Sequence, residues 1–228
     1  MGGGDDDKMN ATGSALRNSV AATHGTRIAA TGLATHPHIA ALIGANGPDA
    51  ARNLADAVHL LCNLHGRHLG LIDLALSNCP PGGTRDWLGE TSDEFERERL
   101  YLVRLASAVG PLPSTPGATE TENALQAQRH AIEPLARAER RGCALGAATA
   151  LIGDWASLRP LLDRAAARAG IDSPPGSLPT GSSIERILDS ANDSLASERA
   201  MAFGAAQLLL QHRGLLDLLE ARADARLA

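Results

Sequence analysis

The sequence predicts an all-α protein, an up-and-down helical bundle of about four long helices plus short helices. Three observations predict it. Apolar residues recur at three- and four-residue spacing through long stretches, the period of one face of a helix. Three S/T-x-x-E patterns, Thr91–Glu94, Thr119–Glu122 and Ser182–Glu185, each follow a Pro/Gly-rich stretch. In such a box the hydroxyl accepts from an early backbone N–H while the glutamate reaches back. Alternating apolar and polar residues, the mark of a strand, are absent.

Residues 1–8 close on "GGGDDDK" and read as a tag-like remnant. Residues 9–46 are rich in Ala, Thr, Gly and Asn with weak periodicity, so they are expected to be a weakly ordered N-terminal segment with one short helix near "HIAALIG". Residues 47–228 are expected to be a single helical-bundle domain. Pro48 suits a first helical position and opens a helix over about 49–77. The next spans about 92–109. A third spans about 119–153, with Pro134 expected to kink or split it. A shorter helix follows over about 157–169, capped by Ser157 with Pro160 in its first turn and Gly170 just past its end. Helices over about 183–191 and 194–225 complete the set.

Composition narrows function by exclusion. Aromatics are 2% of residues, so the interior must be filled by Leu, Ile, Val and Ala, and no stacking platform for single-stranded nucleic acid exists. A net charge of −5 supplies no field for nucleic acid or anionic lipid. The uncharged runs 142–153 and 200–211 are shorter than the roughly 20 residues a membrane span needs. Cys62, Cys79 and Cys143 are odd in number and far apart, which implies no disulfide framework and a reducing, cytoplasmic setting. Phosphate-loop, dinucleotide, nucleophile-elbow and zinc-protease motifs are all missing.

The stretch "HLLCNLHGRH", 59–68, holds three of the eight histidines and one cysteine. On a helix these do not converge: His59 and His68 are separated by about 13 Å along the axis. At most His65 and His68 could share an ion. Projection places His65 among Leu54, Val58, Leu61, Leu69, Ile72 and Leu76, with Asp56 and His59 on the flank. It places Glu98 among Phe95, Leu102 and Leu105. Glu139 falls with Leu125, Ile132 and Leu135, and His212 with Leu208, Leu215 and Leu219. Each long helix thus carries one ionisable residue in its apolar stripe. His65, Glu98, Glu139 and His212 form a candidate metal set for Fe, Mn or Zn, although no motif requires any cofactor. Inward His and Glu on a helical bundle resemble the ferritin-like di-metal proteins, a resemblance that implies an oxidase or hydroxylase. No Glu-x-x-His motif occurs here.

Small residues carry a separate signal. Ala138, Gly142, Gly146 and Ala150 recur every four residues, and Gly204 stands on the last helix. Such spacing lets two backbones approach closely, either within the chain or in a homodimer. Cys143 is expected to be a buried packing residue. Trp87 and Trp155 are expected to be lids near helix ends. The arginines 129, 137, 140 and 141 are expected to form a solvated face. The first functional expectation is therefore a binding or interaction protein with a protein partner or a second copy. The alternatives are the metal-dependent bundle and a carrier of an apolar small ligand. Whether the chain is an enzyme stays open at this point.

Overall fold

A computed structural model describes residues 19–140 and 142–227, so the expected remnant at 1–8 lies outside the described residues. Those residues are helical without a strand. In order they form α1 (Val20–Thr31), a 3-10 turn (Leu33–Thr35), α2 (Pro37–Gly44), α3 (Pro48–His65) and α4 (Leu71–Asn78). Then come α5 (Gly83–Ala108), α6 (Ala118–Ala136), α7 (Cys143–Ala169), α8 (Gly181–Ala191) and α9 (Leu195–Ala225).

α7 is the axis of the molecule. It touches every other helix and packs most extensively on α9. The sequence reason is the uncharged run at its start: Cys143, Leu145, Ala147, Ala148, Ala150, Leu151 and Ile152 are all buried, on every side of the helix. A helix apolar all round must be surrounded. α7 also passes through Pro160 without ending, and Gly170 terminates it in the left-handed conformation at φ +69°. The short helix expected over 157–169 is thus the second half of a longer one. α7 and α9 approach closely because Gly146 lies against the Met201 carbonyl and Gly204 against the Cys143 carbonyl.

Three further boundaries differ from expectation, each for a local reason. The helix expected over 49–77 is two, α3 and α4, separated at Gly66–Gly70. α5 begins at Gly83, and the Thr91 hydroxyl donates to the Trp87 carbonyl inside the helix rather than capping a start. The helix expected over 119–153 divides into α6 and α7. α6 ends two residues after Pro134, which cannot donate to the preceding turn, and Gly142 takes φ +90° to start α7.

Residues 19–46 hold α1, the 3-10 turn and α2, the last on the short helix expected near "HIAALIG". α1, the 3-10 turn and α2 form a strap across α7 and α9, burying Val20, His24, Leu33, Ile39 and Leu42. Pattern reasoning missed α1 because only its Val20–Ala21 and His24 side is buried while Thr and Ala cover the rest.

Candidate functional site

Near the middle of α7 the interior turns polar. Asp154 is fully buried, and its two carboxylate oxygens have separate partners. Oδ1 accepts from the Leu33 backbone N–H at 2.7 Å, which ties the strap to the axis. Oδ2 accepts from His212 Nδ1 of α9 at 2.7 Å. That bond fixes the His212 tautomer and turns its Nε2 toward His65 of α3, where the two Nε2 atoms stand 3.0 Å apart. The rings meet edge to face at 88°. Burial, followed by the neighbouring His212 and Arg99 charges, pushes His65 well below the ordinary imidazole range. A neutral His65 donating its Nε2–H to His212 satisfies all three groups. The chain His65–His212–Asp154–Leu33 can hold one proton at a defined place, and it joins α3, α9, α7 and the strap.

Beside it, Trp155 is buried rather than lying at an edge. Its ring meets those of His65 and Phe95 edge to face, and its indole N–H donates to Glu98 Oε2 at 3.0 Å. Glu98 Oε1 accepts from Arg159 at 2.6 Å. Arg159 also donates to Asp163 and to the Pro174 carbonyl. Both Glu98 oxygens therefore have donors already.

The expected metal set is divided by this arrangement. His65 and His212 come together, whereas Glu98 is held by Trp155 and Arg159. Glu139 is exposed on the linker between α6 and α7, because the helix that would have carried it inward ends at Ala136. Among the described residues no group of three or more His, Cys, Asp or Glu could hold a metal ion. His68 lies in the α3–α4 break with two thirds of its side chain exposed, accepting from Arg99, so it does not share a site with His65. His130 is exposed and His59 half-buried, its ring bonded to the Gly110 carbonyl. Burial pushes the Cys143 thiol up, an environment that quenches nucleophilicity. Of the small residues, Gly142, Gly146 and Gly204 lie where α7 meets α9 of the same chain, Ala150 is buried on α7, and Ala138 sits in the linker.

A second buried cluster was not foreseen. Asp56 of α3, placed on the flank by projection, is fully buried. It accepts from Arg222 at 2.8 Å and Arg226 at 2.7 Å. Thr115 and Thr121 take further guanidinium donors. The only sequence signal was an aspartate amid the apolar run "LADAVHLL"; its partners are more than 160 residues away.

A recess of about 760 Å³ lies between the start of α1 and the α8–α9 connection, and another lies where the α4–α5 loop faces the α6–α7 linker. The volume of the second is about 540 Å³. Asn78, Pro80, Thr84, Leu88, Arg140 and Ala144 are among its lining residues. Arg137, on the same side, is paired with Glu133 at 3.1 Å, as the solvated-face reading anticipated; position 141 lies outside the described residues.

Residues 28–227 match the family of unknown function DUF6975. The chain belongs to that family. No curated protein and no solved structure matches it. No helix of the described residues is long and apolar enough to cross a membrane.

Proposed function

We propose that this member of DUF6975 is a binding protein whose ligand seats in the recess between the α4–α5 loop and the α6–α7 linker. The observation that carries this reading is the recess itself. It has about 540 Å³ of open space, within the range of small-molecule sites, and mixes apolar walls from Leu88 and Ala144 with polar groups from Asn78, Thr84 and Arg140. The interior carboxylates Asp154, Glu98 and Asp56, by contrast, are already satisfied by their own donors. Arg140 is exposed at the rim beside Arg137, with Glu139 and Asp193 also lining the recess; a small molecule whose carboxylate or phosphate meets the arginines is favoured. The test is a thermal-shift screen of small carboxylates and phosphates. A compound that raises the melting temperature of the parent should lose its effect in Ala144→Trp, which fills the recess, and weaken in Arg140→Gln. A hit that stabilises both variants as well as the parent would place the ligand elsewhere.

One observation favours a second reading, a metal-binding bundle. The buried His65 and His212 Nε2 atoms face each other, and Asp154 orients His212 in the way outer carboxylates orient metal-bound histidines. An imidazole-only pair suits Zn or Cu better than Fe or Mn. Bonds of about 2.0 Å to each nitrogen would require the rings to part by about 1 Å. Elemental analysis of freshly purified protein decides it. Stoichiometric metal that falls in both His65→Ala and His212→Ala supports the site, and metal-free parent protein ends it.

A further inference from the structure

We propose that the strap formed by residues 19–46 is an acid-released cover over α7, opening as protons are taken up by His24 and His38 and so uncovering Asp154 and the apolar face around Gly153. The strap carries three of the chain's eight histidines, His24, His36 and His38, and all three are buried.

The docked strap is held by few, separable bonds. Leu33 N–H donates to Asp154 at 2.7 Å, Ala21 N–H to Asp189 at 3.3 Å, and Arg213 to the Thr35 hydroxyl at 3.0 Å. His36 pairs with Asp217 at 2.9 Å. Arg164 of α7 reaches the carbonyl of Ala45 and the side chain of Asn46. Two glycine contacts show how closely it covers the axis. A Cβ on Gly32 would lie 2.7 Å from Asp154 Oδ1, and one on Gly153 would lie 2.7 Å from Ile28 Cδ1.

Two of the histidines have no use for a second proton while docked. His24 Nε2 and His38 Nε2 are buried without a hydrogen-bond partner. Burial, with Arg27 beside it, pushes His24 down to about 4, against a hydrogen bond with the Thr149 backbone of α7. Glu198 of α9 lines the small void next to His24, and Asp189 of α8 faces the start of α1. Burial also pushes His38 down. Glu220 and Asp224 of α9 oppose that effect, and His36 and Arg226 add to it.

The sign follows from these directions. A released His24 takes its proton near pH 6.5, whereas a docked one resists until about pH 4. Docking is therefore undiminished above pH 6.5 and weakens as pH falls toward 4. At pH 5 the released-to-docked ratio rises about 30-fold from His24 alone, with His38 acting in the same direction.

Hydrogen–deuterium exchange of the full chain at pH 7.5 and pH 5.0, corrected for the intrinsic pH dependence of exchange, tests this. Amides of α1, the 3-10 turn and α2 should exchange from a smaller opening free energy than those of the α7–α9 contact at both pH values, and should gain at least tenfold in relative exchange at pH 5.0. His24→Leu and His38→Leu should each reduce the gain, and the double variant should nearly abolish it. Two results overturn the proposal. One is strap exchange unchanged between the two pH values in the parent. The other is strap amides exchanging at pH 5.0 from the same opening free energy as those of the α7–α9 contact, which would mean that the strap opens only when the whole fold does.

Discussion

Gly146 of α7 and Met201 of α9 meet backbone to backbone: a Cβ on Gly146 would run into the Met201 carbonyl oxygen. On the other side of the crossing, Gly204 stands in the same relation to the Cys143 carbonyl. These contacts involve main chain on one side, so a rotamer change cannot relieve them. Gly146→Ala should therefore destabilise the protein by about 1–3 kcal/mol even though alanine favours helix, and Gly146→Leu by more. Urea denaturation measures it; an unchanged midpoint would mean that the helices can part without cost.

Among the described residues, His212→Ala removes the only side-chain donor bonded to Asp154 and leaves a fully buried carboxylate with one backbone N–H. The expected loss is about 3–5 kcal/mol, the usual result of stranding one member of a buried pair. Adding Asp154→Asn to the same protein should recover part of that loss, because the amide carries no charge. Equal stability of the single and double variants would show that a stranded charge is not what the His212→Ala loss measures.

Arg222→Met should cost less than His212→Ala, because Asp56 keeps Arg226 at 2.7 Å. Removing both arginines should cost more than the sum of the single losses, since only then is the carboxylate unpaired. A chemical denaturation cycle over the two single variants and the double one measures the coupling, and strict additivity would contradict the shared-partner geometry.

These sites were unequally legible in the sequence. His65 and His212 could be found because apolar residues lie one turn away, Leu61 for His65 and Leu208 and Leu216 for His212, although Leu69, counted with them, lies beyond the end of α3 and is exposed. A local period of 3.6 residues is enough to point a side chain inward. Asp154 and Asp56 could not be found in that way. What makes them tolerable in the interior is a partner on a distant helix, and no local pattern encodes that partner. Glu139 was misplaced for the reverse reason: its projection assumed a helix through residues 137–142, where Pro134 and Gly142 end one helix and begin another. Of the strap, α2 falls on the short helix expected near "HIAALIG", whereas α1 and the 3-10 turn were missed because their burial rests on a few residues, among them His24 and Leu33, set in Thr- and Ala-rich chain with little amphipathic signal.

The pH dependence of global stability gives a last test, separate from local opening. His24 is buried, its Nε2 is unpartnered, and burial holds it down to about 4. The unfolded chain binds a proton there near pH 6.5, so the folded state loses stability as pH falls from 6.5 toward 4 and loses none above it. At pH 5 the loss due to this one group is about 2 kcal/mol. His24→Leu removes the group that causes it. The variant should match the parent to within about 1 kcal/mol at pH 8, where it exchanges a neutral, incompletely bonded imidazole for an apolar side chain of similar reach. At pH 5 it should be more stable than the parent by about 2 kcal/mol relative to that baseline. Urea midpoints for both proteins at the two pH values supply the comparison. Parallel loss of stability in parent and variant would move the acid sensitivity to other groups and leave His24 as a packing residue.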